Sequence, residues 1–114
     1  MTAMRVRVAK PHDSEPTVAL IVREGEELTF ERRPTIWEGW VWCTSSAGKS
    51  GWVPESWVIV EGAVCKAARD YDSSELRVGV GDEVDALLFE SGWAWVRGQG
   101  GKTGWVPMAC LENV

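Results

Sequence analysis

The chain has 114 residues, with 45% apolar and 25% charged side chains and a net charge of −5. That length holds one ordinary domain or two very small ones, and the balance is that of a folded chain. The acidic surplus argues against a nucleic-acid partner, and apolar runs of only a few residues argue against a membrane span.

Residues 1–8 show no apolar stretch or small-residue cleavage site of a secretory leader. The cysteines (Cys43, Cys65, Cys110) are odd in number and none forms a C-x-x-C pair. The expectation is therefore buried thiols in a reducing cytoplasm, with no disulfide framework and no metal. In chain order, 27–30 suits a strand, and so does 40–44 after a proline-bearing loop near 32–36. A glycine-containing hairpin loop follows at 45–48, then strands at 51–54 and 58–60. The series then repeats: strand at 83–89, strand at 93–97, loop at 98–101, strands from 104 and 110. No stretch shows helical periodicity beyond one turn.

The repetition is literal. Gly39-Trp-Val-Trp-Cys-Thr-Ser-Ser-Ala-Gly-Lys-Ser-Gly-Trp-Val-Pro54 matches Gly92-Trp-Ala-Trp-Val-Arg-Gly-Gln-Gly-Gly-Lys-Thr-Gly-Trp-Val-Pro107 without a gap. Upstream, Ala19-Leu-Ile-Val-Arg-Glu-Gly-Glu-Glu-Leu28 parallels Glu75-Leu-Arg-Val-Gly-Val-Gly-Asp-Glu-Val84. The expected organisation is all-β, with two tandem small five-stranded antiparallel barrels at residues 1–61 and 62–114. The seam lies near Val60-Glu-Gly-Ala63.

Eight tryptophans in so short a chain exceed what a core needs, so some should lie at a gripping surface. The order Glu75-Leu-x-Val-x-x-Gly-Asp-Glu, Trp93, Gly101-x-x-Gly-x-Val-Pro107 resembles the Src-homology-3 (SH3) family. Ala67-Ala-Arg-Asp-Tyr71 is a worn form of that family's Ala-Leu-Tyr-Asp-Tyr opening. The resemblance implies a non-enzymatic peptide-binding module with a shallow aromatic groove for proline-containing or extended segments, and an acid beside it for a ligand Arg or Lys. Carried over by position, the ligand-binding residues of the second copy are Trp93, Pro107, Tyr71, Glu75 as the pairing acid, Asp72 and Glu90 in flanking loops, and Trp105. Arg69 and Cys110 replace two motif tyrosines. In the first copy they are Trp40, Pro54, Trp52 and Trp57. There the opening motif is Ala9-Lys-Pro-His-Asp13, Ala19 stands where Glu75 does, and Glu15 is the substitute acid. Each copy keeps half a groove, and the halves differ.

Strand alternation puts Trp42 and Trp95 outward, which implies burial against the other copy or a second molecule, as in a homodimer. His12 reads as loop filler. Arg32-Arg-Pro34 has the composition of a ligand but reads first as insertion-loop chemistry. No nucleophile–base pair, phosphate loop or cofactor motif is present, so neither catalysis nor a cofactor is expected. Two other functions fit the indoles: a structural or assembly protein, and a cell-wall or glycan-binding barrel of bacterial SH3 type.

Overall fold

A computed structural model of the chain describes residues 3–13, 19–33 and 38–114. Two expectations lie outside them, the substitute acid Glu15 and Pro34 of the insertion loop. The described residues form strands β1 (Met4–Val8), β2 (Ile21–Val22), β3 (Glu27–Glu31), β4 (Trp40–Thr44), β5 (Ser50–Pro54), β6 (Val58–Glu61), β7 (Val64–Ala67), β8 (Tyr71–Asp72), β9 (Glu83–Glu90), β10 (Trp93–Arg97), β11 (Thr103–Pro107) and β12 (Leu111–Asn113). Short 3-10 turns follow β5 and β11 at Glu55–Trp57 and Met108–Cys110. The fold is all-β, and no α-helix occurs among the described residues.

The strands assemble into two compact units. A continuous unit comprises Thr17–Ser73, and a split unit comprises Met1–Pro16 with Ser74–Val114. The repeat boundary near residue 61 is therefore not the unit boundary. The sheet of the continuous unit has the order β5-β4-β3-β7-β6, and that of the split unit β11-β10-β9-β1-β12. The two orders correspond strand for strand, with one exchange. β1 opens the first repeat but lies between β9 and β12 of the second. β7 opens the second repeat but lies between β3 and β6 of the first. Both sheets begin and end on edge strands, so the expected closed barrels are not formed by strand pairing.

Turn chemistry accounts for the exchange. β6 and β7 are joined by a two-residue turn, with Glu61 opposite Val64 and Gly62 at φ +68°. A two-residue loop of this kind forces its strands to pair with each other, and a positive φ favours glycine. β7 is thereby committed to β6. The β1 position of the second repeat is left for the N-terminal strand.

Cross-strand pairs favour the same outcome. β1 puts Arg5 opposite Asp85 and Arg7 opposite Glu83 and Glu112, while β7 puts Lys66 opposite Glu27 and Val64 opposite Thr29. With the strands returned to their own repeats, Arg5 would face Thr29 and Val64 would face Asp85. Opposite charges across a strand pair stabilise by a few tenths of a kcal/mol to about 1 kcal/mol. Arg5 donates to Asp85 at 3.1 Å, and Arg97 reaches the other Asp85 oxygen at 3.4 Å. The Arg5 guanidinium holds the Asp85 carboxyl below its ordinary value.

Each core sits on one face of its sheet. Val6 and Val8 of β1 are 3% and 0% exposed within a cluster of Val78, Val84, Ala86, Ala94, Val96 and Val106. Burying two valines is worth about 3–6 kcal/mol as an upper bound, so β1 is an integral part of the split unit. In the continuous unit the buried residues include Leu20, Val22, Leu28, Val41, Cys43, Val53, Cys65 and Ala67. Burial pushes the Cys43 thiol up to about 12, helped by the neighbouring Cys65, and raises Cys65 as well.

Candidate functional site: two indole-bearing faces

In the continuous unit, β4 and β5 pair Trp40 with Pro54, Val41 with Val53, Trp42 with Trp52 and Cys43 with Gly51. Alternation sends Val41, Cys43 and Val53 into the core. The other face of this strand pair then carries Trp40, Trp42, Trp52 and Pro54. Trp42 and Trp52 meet edge to face at 5.2 Å, and the Arg33 guanidinium lies over Trp42 at 4.5 Å. Arg33 also pairs with Glu31, and Arg32 pairs with Glu55.

Pro54 ends β5 and leads into the 3-10 turn that carries Trp57. The Trp57 ring meets Tyr71 edge to face at 5.5 Å, and the Arg69 guanidinium stacks over Trp57 at 4.0 Å. The Tyr71 hydroxyl donates to the Trp52 carbonyl at 2.7 Å. Tyr71 and Asp72 form β8, which pairs with β2. Their expected grouping with Trp93, Glu75 and Pro107 is therefore not what the fold builds. The strand exchange carries Tyr71 and Asp72 to the first repeat's tryptophans, where the sequence showed no motif aromatic.

The split unit repeats the face. β10 and β11 pair Trp93 with Pro107, Ala94 with Val106, Trp95 with Trp105 and Val96 with Gly104. Ala94, Val96 and Val106 point into the core. Trp95 and Trp105 meet at 5.4 Å. Glu90 closes β9 opposite Trp93.

The segment bearing Glu75 is pinned along β11. Trp105 N–H donates to the Ser74 carbonyl at 2.9 Å, and Leu76 N–H donates to the Trp105 carbonyl at 3.1 Å. Gly104 permits this approach, since a Cβ there would lie 2.6 Å from the Leu76 nitrogen. At the equivalent Gly51 a Cβ would meet Ser73 Oγ at 2.9 Å and the Leu20 Cβ at 3.1 Å.

His12 completes this face and is the residue that sequence reasoning missed. It bridges Val78 just as Tyr71 pairs with Val22, so His12 holds in the split unit the place of Tyr71 in the continuous one. Its ring meets Trp93 edge to face at 5.5 Å, and its Nε2 lies 2.8 Å from Glu75 Oε1. Cys110 takes the place of Trp57, in the 3-10 turn after Pro107. The missing signal was register. Aligning the opening motifs through Val8 and Ala67, which pair with Leu111 and Val58, sets His12 against Tyr71.

Exposure divides the expected residues. Trp42, Trp52, Trp57, Trp93 and Trp95 are partly buried, while Glu75 is exposed. Trp40 is 9%, Tyr71 5% and Trp105 3% exposed, and Pro54 and Pro107 are buried. The outward indoles Trp42 and Trp95 find their ring contacts in cross-strand neighbours of their own sheets. No contact between copies is required to account for their partial burial.

A family model for the variant SH3 domain matches residues 5–61. The chain belongs to the variant SH3 family. The match follows the first repeat in sequence, so it runs from β1 of the split unit through β6 of the continuous one. No curated protein and no solved structure matches the chain. Among the described residues, no cluster of three or more His, Cys, Asp or Glu side chains is placed to hold a metal, and no helix is long and apolar enough to cross a membrane.

Proposed function

We propose that this SH3 chain is a non-catalytic protein-interaction module, that both compact units are SH3-type, and that each presents its indole-bearing face to an extended, proline-containing segment. SH3 domains are in general binding modules that mediate protein–protein contacts. The observation that carries the reading is the exchange of opening strands. It sets an opening-segment ring from the other repeat beside the indoles of each unit: Tyr71 beside Trp57 and Trp52, and His12 beside Trp93. A polyproline II segment is extended before it binds, so a shallow aromatic furrow costs it little conformational entropy.

The two faces differ in charge. Glu75 gives the split unit a carboxylate for a ligand Arg or Lys, with Glu90 opposite Trp93 in the strand pair, and a charge-assisted pair of this kind fixes ligand direction. The continuous unit has Ala19 at the equivalent place, and its guanidinium groups lie over Trp42 and Trp57. It reads apolar and proline character without that acid. Affinity at each face is about micromolar or weaker, as for small transient interfaces.

The test is titration of Arg- and Pro-containing peptides followed by tryptophan fluorescence. Trp93→Ala and Glu75→Gln should each weaken an Arg-Pro peptide about tenfold, while Trp57→Ala leaves that response in place. An unchanged response in Trp93→Ala counts against the reading. Self-association through Trp42 and Trp95 is the less favoured reading, since each indole already has an edge-to-face ring contact with its cross-strand partner.

A further inference from the structure

We propose that His12 is a specificity-determining residue of the split unit: it competes with the ligand's Arg or Lys for Glu75, so its charge sets how well that face takes a basic segment. The inference rests on the binding reading above and adds to it a residue and a direction. His12 Nε2 stands 2.8 Å from Glu75 Oε1, which is the position a ligand guanidinium or ammonium nitrogen would take. The same ring sits edge-on to Trp93, so one side chain touches both the acid and the indole of the face. It is held there by its backbone, which exchanges two hydrogen bonds with Val78 at 3.0 and 3.1 Å.

Among the described residues, Glu75 is the carboxylate whose side chain meets the His12 ring. On its own segment, Asp13 pairs with Arg77 Nε at 2.8 Å, and Lys10 is exposed with its N–H on the Cys110 carbonyl at 3.2 Å. Across the strand pair, Glu90 stands opposite Trp93. Cys110 Sγ lies 4.0 Å from the Pro11 carbonyl. A protonated imidazole neutralises Glu75 and offers it a charged donor. A neutral imidazole offers at most a neutral one and does not cancel the carboxylate charge that an incoming cation would meet. Imidazole changes charge in the range of about pH 5 to 8, so one ring converts pH into ligand preference. The relation is reciprocal: a bound cation favours the neutral ring.

His12 is the only histidine in the chain, so its Cε1 proton gives an unambiguous imidazole signal in NMR titration. That signal is followed in the wild type as an Arg-Pro peptide is added. Dissociation constants of an Arg-Pro peptide and of its Arg→citrulline analogue are then measured at about pH 5.5 and about pH 7.5. The same measurements are made in His12→Phe and His12→Gln, two replacements that do not titrate. The expected results are a shift of the imidazole signal on adding the Arg-Pro peptide and Arg-Pro binding about fivefold weaker at the lower pH in the wild type. Binding should be independent of pH in both His12 variants and for the citrulline peptide. Equal wild-type affinities at the two pH values, or wild-type pH dependence surviving in a folded His12 variant, overturn the inference and leave the binding reading standing. No binding of either peptide at either pH overturns both.

Discussion

Replacing Gly104 by alanine perturbs the backbone contact that holds the Glu75 segment along β11. The added methyl would lie 2.6 Å from the Leu76 nitrogen and 2.9 Å from the Glu75 carbonyl carbon, about 0.8 Å inside ordinary contact. Those neighbours are backbone, and they cannot yield by changing rotamer. The segment must move off β11, which forfeits the hydrogen bonds of Trp105 N–H to Ser74 and of Leu76 N–H to Trp105. Two such bonds at about 1 kcal/mol each, with overpacking strain of about 1–3 kcal/mol, give a loss of about 3–5 kcal/mol. Gly51→Ala is the internal control, because its closest neighbour, Ser73 Oγ at 2.9 Å, can rotate away, and the Leu20 and Ser73 Cβ atoms at 3.1 Å need give only a few tenths of an ångström. That rotation sacrifices the bond from Leu20 N–H to Ser73 Oγ at 2.8 Å, a cost of about 1–2 kcal/mol. Urea unfolding should be followed through the amide signals of Val96 for the split unit and Val41 for the continuous one. The reasoning is refuted if Gly104→Ala costs under about 1 kcal/mol, or if Gly51→Ala costs as much.

Three further outcomes follow from the strand pairing and from burial. A fragment of residues 17–73 keeps β7 beside β6 and retains Tyr71, so it should fold cooperatively and exceed a 1–61 fragment by about 1–2 kcal/mol in urea unfolding, and the opposite ranking would contradict the exchange. A thiol reagent should modify Cys110 rapidly in the native protein and reach Cys43 and Cys65 only on unfolding, since both are 0% exposed. The Cys43 thiol ionises from 9.0 upward when unfolded but only at about 12 when native, so its contribution to stability is complete below pH 9 and is lost as pH rises towards 12. The urea midpoint should fall across that window, and less so in a folded Cys43→Ala variant.

Much of the fold was legible in the sequence. Four strands of each repeat fall where alternation and turn residues put them, and the inward set Val41, Cys43, Val53 against Ala94, Val96, Val106 follows from a period of two. The element that did not declare its place was the opening strand. β1 and β7 carry similar patterns and fit equivalent slots, so hydrophobic alternation cannot assign them. Their assignment rests on Glu61-Gly-Ala-Val64, which looks like a boundary between domains but is a hairpin turn inside one unit. It rests as well on charge pairing that appears only once the register is known, Arg5 with Asp85.

The same degeneracy hid part of the site. The sequence groups Tyr71 and Asp72 with the second repeat, whereas the fold puts them in the continuous unit with Trp52 and Trp57. His12 reads as loop filler in the sequence because the motifs that begin at Ala9 and Ala67, matched residue for residue, set it against Asp70 instead of Tyr71. Trp42 and Trp95 point away from the core as alternation requires. The neighbours that cover them, Trp52 and Trp105, are a consequence of cross-strand register. A pairing of residues is a property of two strands at once, and one strand's sequence does not contain it.

The exchange of opening strands is read most directly from cross-strand proton contacts in the NMR spectrum of the intact chain. Backbone contacts should run from Val6 to Val84, from Arg7 to Glu112 and from Cys65 to Leu28. Contacts from Val6 to Leu28, with Cys65 turned to Val84, would return each strand to its own repeat and contradict the account.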